Sequence, residues 1–254
     1  MMTGNVRARL GLGETLYGLL VKMPSQAIIE MCAKAGFDLT VIDCEHGAGE
    51  TNELEHHIRA AESFGIPAFV RIGSHSSIET LRALDAGASG IIVPHVVSKE
   101  DAVKAVQSVY YPPVGKRGLA TSTRAGGHTL VDIQEHIKGA EQNITVILQI
   151  EDGEAISVLN EISNVNHVHM LFIGINDLSL SLGYPGQSDH PVVLSAVEKI
   201  IATIKQSDHL LLGAIAQNEQ EARFWKEKGA KMILFPSTYL FAQKLLQLVD
   251  VLKS

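Results

Sequence analysis

Eight short apolar segments recur along the 254-residue chain, and a segment with helical periodicity follows each one. The apolar segments predict eight strands, in the order TLYGLLVK, FDLTVIDCEHG, PAFVRIG, GIIVPHV, ITVILQIED, HVHMLFIGIND, HLLLGAIA and KMILFPS. Nearly continuous apolar strands indicate a parallel sheet that is covered on both faces. Eight strand–helix units in about 250 residues are typical of a (β/α)₈ barrel. We therefore predict an α/β fold, a TIM barrel that spans residues 1–254 as one domain.

A doubly wound open sheet is the main alternative fold. Such a sheet usually carries a glycine-rich phosphate turn after its first strand, and the segment LVKMPS has no such turn. Among the helices, PSQAIIEMCAKAG is predicted to begin at Pro24 or Ser25, and GEAISVLNEIS is predicted to form one helix. The polar stretch YPPVGKRGLATSTRAGGH is too long for an ordinary turn, which favours a functional loop.

The composition excludes several classes of protein. Hydrophobic residues make up 46% of the chain, which is enough to form a sizeable core. The formal net charge is −7, so we expect no binding to nucleic acid, which needs a basic surface. No apolar stretch approaches the roughly 20 residues of a membrane span, and the first residues contain no signal-like apolar run. The two cysteines form no pairing framework, which favours a reducing, cytoplasmic location.

Carboxylates follow two neighbouring strands of the predicted barrel. Glu151 ends the fifth strand and Asp177 ends the sixth. Active sites of such barrels lie at the carboxyl ends of the strands, so both side chains should face one space. Unpaired, they would repel each other, whereas a divalent cation such as Mg²⁺ would remove the conflict. Each acid could alternatively serve as a helix cap.

Other polar side chains lie at the same predicted end of the barrel. Arg71 ends the third strand and offers a permanently charged fork that suits a carboxylate. His46 follows the second strand and can transfer protons near neutral pH. Together with a metal, these groups indicate proton abstraction or carbon–carbon bond chemistry next to a carbonyl. We interpret His95, which follows Pro94, as packing in the barrel wall.

Asp85 occupies an unusual position in the segment LRALDAGASG. It lies near the end of a predicted helix, where an acid is unfavourable for the helix dipole, and this favours a specific partner. His56 and His57 lie on a helix, and His167 and His169 lie near a strand start at the opposite end of the barrel. We interpret these four histidines as surface or structural residues.

Several stretches together resemble the metal-dependent 2-oxo-acid aldolases of the HpcH/HpaI family. They are DCEHG, VRIG, LDAGASGIIVPHV, YPPVGKRG, LQIED and FIGINDLSLSLGYPG, and they occur in family order. Any one of them would be a weak signal, but the set is highly specific. The resemblance implies a (β/α)₈ barrel and a class II aldolase that cleaves a hydroxy-oxo acid to pyruvate and an aldehyde through an enolate.

The resemblance also implies roles for particular residues. Glu151 and Asp177 would bind the divalent metal, and Arg71 would bind the 2-oxo acid and stabilise its enolate oxygen. His46, paired with Asp85, would act as the acid and base together with metal-bound water. Gln149 and the backbone around Asn176 would line the oxo-acid pocket. We expect Mg²⁺, although Mn²⁺ and Co²⁺ also accept oxygen ligands.

The second substrate stays open at this point. The chain has GINDLS where aldolases of this family commonly have GPADLS. One branch of the superfamily resembles a citrate synthase of siderophore biosynthesis, which condenses oxaloacetate with acetyl-CoA, and Arg124 would suit an extra carboxylate there. A non-catalytic barrel that binds a small acid is a further alternative. The family implies a homo-oligomer, a trimer or hexamer, in which the last helix, YLFAQKLLQLVDVL, is exchanged between subunits.

Overall fold

The eight predicted strands form a closed parallel barrel in the computed structural model, which describes residues 5–23, 25–47 and 51–253. Each strand pairs with its sequence neighbours, and β8 pairs with β1 to close the barrel. The α/β barrel prediction is therefore confirmed. The strands are β1 Leu16–Val21, β2 Leu39–Asp43, β3 Ala68–Arg71, β4 Gly90–Val93, β5 Thr145–Ile150, β6 Met170–Ile173, β7 Leu211–Ile215 and β8 Ala230–Pro236.

Helices surround the barrel and follow the strands in sequence. They are α1 Val6–Gly11, α2 Gln26–Lys34, α3 Thr51–Ser63, α4 Ser77–Asp85, α5 Lys99–Val109, α6 Ile133–Asn143, α7 Leu159–Ser163, α8 Ile175–Ser181, α9 Pro191–Lys205, α10 Glu219–Glu227 and α11 Ser237–Lys253. Ser25 caps α2 by accepting from the Ile28 N–H, as the sequence predicts, and Pro24 lies outside the described residues. None of the described helices is both long and apolar enough to cross a membrane.

Apolar side chains form two clusters, one on each side of the sheet. The larger cluster lies between the strands and the surrounding helices. The inner cluster fills the barrel with side chains such as Phe69 and Phe172, and α1 adds Val6 and Leu10 to it. Because the strands in this fold are buried on both faces, each strand is a nearly continuous apolar run and not an alternating one. These runs identify the strands in the sequence.

Three details differ from the sequence prediction. Helix α1 was not predicted, because its six residues are too short to show a clear period. The segment predicted as one helix from Gly153 is split into a 3₁₀ turn, Gly153–Ser157, and α7. The break falls at Val158, whose φ of −117° does not fit a continuous helix. Finally, α8 begins at Ile175, inside the segment that was predicted as the end of β6.

Candidate functional site

A buried ion pair joins the carboxyl ends of β2 and β3. Asp43 and Arg71 are register partners in the sheet, and both side chains are almost fully buried. Arg71 donates from Nε to Asp43 Oδ1 at 3.0 Å and from Nη2 to Asp43 Oδ2 at 2.6 Å. Burial alone would raise the pKa of Asp43, but the hydrogen bonds and charge of Arg71 hold it below its usual value. This two-point contact fixes the plane of the guanidinium.

The remaining nitrogen of Arg71 points towards two further polar side chains. Arg71 Nη1 lies 3.1 Å from Glu45 Oε2 and donates to Gln149 Oε1 at 3.5 Å. Glu45 Oε2 is buried, and among the described residues it has no hydrogen-bond donor with suitable geometry. A buried carboxylate oxygen without a hydrogen bond is costly, so this atom marks a place where a further cationic or donor group would be stabilising.

Glu151 lies directly after β5 and is 1% exposed. Its Oε1 accepts from the backbone N–H of His95 at 2.8 Å, and its Oε2 accepts from the side-chain amide of Gln149. Burial raises the pKa of Glu151, and these two hydrogen bonds only partly oppose that effect. A nearby cation would favour the charged form of this carboxylate.

Gly174 provides the space in which the Glu151 carboxylate lies. It precedes α8, and a Cβ atom at this position would stand 2.6 Å from Glu151 Oε2 and 2.8 Å from Glu151 Cβ. Real Cβ atoms do not approach other atoms this closely. The start of α8 is therefore in contact with Glu151, and the helix presents Asp177 in its first turn.

The interpretation of His95 as wall packing is wrong. Its side chain is 53% exposed, and its Nδ1 lies 3.0 Å from Asp152 Oδ2 while its Nε2 lies 3.3 Å from Glu45 Oε1. Partial burial lowers the pKa of His95, but the hydrogen bond to Asp152 and the charges of Glu151, Asp152 and Glu45 raise it above its ordinary value overall. The signal available in the sequence was its place at a strand end, where polar residues serve the active site.

Three side chains gather closely enough to hold a metal ion. One potential ligand atom from each of Glu45, His95 and Glu151 lies within 4.8 Å of the others. Carboxylate oxygens suit a hard divalent cation, and the buried Glu45 oxygen and the raised pKa of Glu151 both indicate that a cation fits here. Glu45 lies in the segment DCEHG at the end of the predicted second strand, and the sequence alone assigns it no role.

The predicted partner of Glu151 is not part of this group among the described residues. Asp177 is partly buried in α8, and Asn176 beside it is exposed and accepts a hydrogen bond from Ser179 through its carbonyl. The pairing of Glu151 with Asp177 around a metal therefore stays a prediction.

Within the chain, His46 and Asp85 contact different residues. The His46 side chain is 50% exposed, and its Nε2 lies 3.8 Å from Glu45 Oε2. Asp85 Oδ1 accepts from Arg117 Nη2 at 2.8 Å. The functional pairing of His46 with Asp85 stays a prediction.

Arg124 lies on the long loop after α5, and the residues that it contacts are far from it in the sequence. It forms an ion pair with Glu62 of α3 and donates from Nη1 to the Ala86 carbonyl at 2.9 Å. These contacts anchor the loop to the end of α4. The binding of a substrate carboxylate by Arg124 stays a prediction.

The remaining histidines fit a structural interpretation. His57 is 2% exposed on α3, and burial lowers its pKa. His169 accepts a hydrogen bond from the Val146 N–H through Nδ1 at 3.0 Å, and burial is the main cause that lowers its pKa to about 3. In both residues the lowered pKa favours the neutral imidazole.

These features define a (β/α)₈ barrel with a carboxylate-rich site at the carboxyl ends of its strands. More specifically, the chain belongs to the HpcH/HpaI aldolase/citrate lyase family, whose model matches residues 16–238.

Named relatives include both aldolases and a citrate synthase. The chain is 36% identical to a pyruvate aldolase of Rhizobium etli over 199 residues, which is 78% of each chain. It is 32% identical to a 4-hydroxy-2-oxo-heptane-1,7-dioate aldolase of Escherichia coli over 91% of this chain and 88% of that one. The crystal structure of the citrate synthase SbnG superposes with a TM-score of 0.89 at 30% identity, covering 98% of this chain and 97% of that one.

Proposed function

We propose that the protein is a divalent-metal-dependent enzyme that makes or breaks a carbon–carbon bond next to the carbonyl of a 2-oxo acid, pyruvate or oxaloacetate, through an enolate. The observation that carries this proposal is the gathering of charged side chains at the carboxyl ends of the strands, where Arg71 Nη1 lies 3.1 Å from Glu45 Oε2 and Glu45 and Glu151 offer ligand atoms within 4.8 Å of each other. The aldolase names of the relatives from Rhizobium etli and Escherichia coli support the same chemistry.

Glu151 and Asp177 would hold the metal, with Glu45 beside them. When bound, a divalent metal polarises a carbonyl oxygen as a Lewis acid. The hydrogen bonds to both oxygens of Glu151 fix the orientation of its carboxylate, which a metal ligand requires. The oxygen-rich donor set favours Mg²⁺, and Mn²⁺ or Co²⁺ would fit the same ligands.

Arg71 would bind and orient the oxo acid. Asp43 holds two of its nitrogens, so Nη1 is the atom that is directed towards Glu45 and Gln149. A preoriented guanidinium stabilises negative charge that develops on an enolate oxygen without having to reorganise. Gln149 and Asn176 would line the pocket for the oxo acid.

His46 would transfer the proton. Its half-exposed imidazole lies at the same end of the barrel, next to Glu45 and after β2. In this proposal it removes a proton from C3 of pyruvate, or returns one there, and Asp85 sets its orientation. Because Asp85 contacts Arg117 within one chain, the pairing would need His46 and Asp85 to approach across subunits or after a local movement.

The first test measures enolate formation without any knowledge of the second substrate. Pyruvate and Mg²⁺ are incubated with the protein in D₂O, and the methyl signal is followed by proton NMR. We expect the signal to disappear with metal and to persist with a chelator. Glu151→Gln should abolish the exchange, whereas Glu154→Gln, an exposed glutamate three residues later, should leave it unchanged. A wild-type protein that leaves the methyl signal intact with metal contradicts the aldolase form of the proposal.

Retro-aldol cleavage to pyruvate and an aldehyde is the proposed direction, and citrate synthesis is the second candidate. The likeness to the citrate synthase SbnG over nearly the whole chain favours keeping that candidate, in which Arg124 would hold an extra carboxylate of the substrate. Free thiol is measured while the protein is incubated with oxaloacetate, acetyl-CoA and Mg²⁺. Thiol release supports the synthase, whereas pyruvate formation from a hydroxy-oxo acid without thiol release supports the aldolase.

The assembly of the protein is a separate part of the proposal. Helix α11 is 17 residues long, and its apolar side chains Phe241, Leu245 and Leu246 are 57%, 47% and 56% exposed. So much exposed apolar surface is unusual for a monomer. A trimer or hexamer that exchanges or covers α11 would bury it. Both cysteines are free thiols, which supports a cytoplasmic location.

A further inference from the structure

His95 has an unusual backbone conformation at the edge of the site. Its φ is +52°, in the left-handed region that favours glycine and asparagine, directly after β4 and Pro94. Residues held in such a conformation concentrate at functional sites, where the surrounding structure maintains them.

The backbone amide of His95 points at Glu151. The N–H donates to Glu151 Oε1 at 2.8 Å, and Gln149 contacts the other oxygen. Two donors on opposite oxygens leave the Glu151 carboxylate no freedom to rotate. The φ of +52° sets the direction of the imidazole relative to this amide, so that one residue contacts Glu151 through its backbone and Glu45 through its side chain.

The imidazole of His95 connects two other strand ends. Nδ1 contacts Asp152, which follows β5, and Nε2 contacts Glu45, which follows β2. Because β2 and β5 are not neighbours in the barrel, no backbone hydrogen bond couples these ends. The imidazole is therefore a direct side-chain connection between Glu45 and the segment that carries Glu151.

We propose that His95 is a positioning residue, whose backbone amide orients Glu151 and whose imidazole holds Glu45 beside it, so that the carboxylates are arranged for a divalent cation before it binds. This inference rests on the proposed function, and it assigns to His95 no contact with the substrate. Two substitutions of His95 separate the contribution of its backbone conformation from that of its imidazole. Asparagine keeps the left-handed backbone but is too short to bridge Glu45 and Asp152, whereas alanine lacks the side chain and also disfavours the backbone conformation.

The test measures direct Mn²⁺ binding to the purified full-length protein by titration calorimetry, with folding checked by thermal melting. Removing a group that orients a metal ligand typically weakens affinity about 10- to 100-fold. We expect His95→Asn to raise the Kd for Mn²⁺ about 10-fold and His95→Ala to raise it further. His167→Ala is the matched control, because His167 also has a positive φ, +67°, but precedes β6 at the opposite end of the barrel.

Mn²⁺ affinities of both His95 variants within twofold of wild type would overturn the proposal. If His95→Ala does not fold, the comparison of His95→Asn with wild type decides alone. Pyruvate proton exchange is measured in parallel. Normal Mn²⁺ binding without exchange in the wild type overturns only the aldolase form of the proposed function, and equal affinities with exchange present overturn only the positioning role.

Discussion

Replacement of Gly174 by alanine tests the geometry around Glu151. The φ of Gly174 is −90°, so alanine meets no left-handed strain there. The added Cβ would stand 2.6 Å from Glu151 Oε2, whereas ordinary contacts begin near 3.4 Å. Either the carboxylate or the start of α8 must therefore move by about 0.8 Å.

A displacement of this size should reduce activity strongly with little loss of folding. Misplacement of a reacting group by about 1 Å can cost about 100-fold in rate. We expect the metal-dependent exchange of pyruvate methyl protons in D₂O to slow by about that factor in Gly174→Ala. The Kd for Mn²⁺ should rise in the same variant, because Glu151 is a proposed ligand.

Gly11→Ala is the control for this experiment. No atom lies within 4 Å of a Cβ built on Gly11, at the end of α1, and its φ is not positive. It should exchange pyruvate protons at the wild-type rate. If Gly174→Ala also exchanges within threefold of wild type while it remains folded, the Glu151 carboxylate does not need its observed position, and the reasoning is refuted.

Three further predictions concern stability. Burial lowers the pKa of His169 to about 3 in the folded protein, whereas the ordinary pKa of a histidine, which applies to the unfolded chain, is about 6.5. Between pH 7 and pH 5 the unfolded chain therefore binds a proton at this residue that the folded protein does not bind, and the free energy of unfolding should fall by about 2 kcal/mol. The free energy of unfolding of His169→Asn, measured with urea, should fall less over the same pH range, and an equal fall would contradict the lowered pKa of His169. Removing the charge of Asp43, in Asp43→Asn, leaves the buried Arg71 with Glu45 as its remaining carboxylate partner and should lower the free energy of unfolding, measured with urea, by up to about 3–5 kcal/mol. Glu14→Gln removes the more exposed ion pair between Arg9 and Glu14 and should lower the free energy of unfolding by less than about 1 kcal/mol. Similar losses in the Asp43 and Glu14 variants would contradict this prediction. Mn²⁺ at 100 times its Kd should stabilise the protein by about 2.7 kcal/mol, seen as a higher Tm that a chelator reverses. Glu151→Gln should lose that stabilisation, and an undiminished shift would place the cation elsewhere.

The barrel could be predicted from the sequence because its signals are local. Each strand is a short apolar run bounded by polar or glycine residues, and eight such runs leave few alternative folds. Placing Arg71, Glu151 and Asp177 at one end needs only the rule that parallel strands share a direction. The same rule places Asp43 and Glu45, in the segment DCEHG, at that end, but it does not show that both side chains contact Arg71.

The contacts inside the site could not be predicted in the same way. The role of His95 depends on a positive φ and on the direction of one N–H, and neither leaves a sequence signal at a histidine. Asp43 and Arg71 meet through sheet register, which the sequence does not specify. The segment from Gly153 divides at Val158, where the backbone leaves the helical conformation. These features are set by tertiary structure.

The position of a bound Mn²⁺ ion, located by anomalous diffraction from a crystal of the protein soaked in Mn²⁺ and pyruvate, tests the central claim most directly. The proposal predicts one ion at this end of the barrel, with a carboxylate oxygen of Glu151 and one of Asp177 each at about 2.1 Å, near the distance that hard octahedral cations adopt. An ion bound by Glu45 and His95 without Asp177, or no ion between the two proposed ligands, would contradict it.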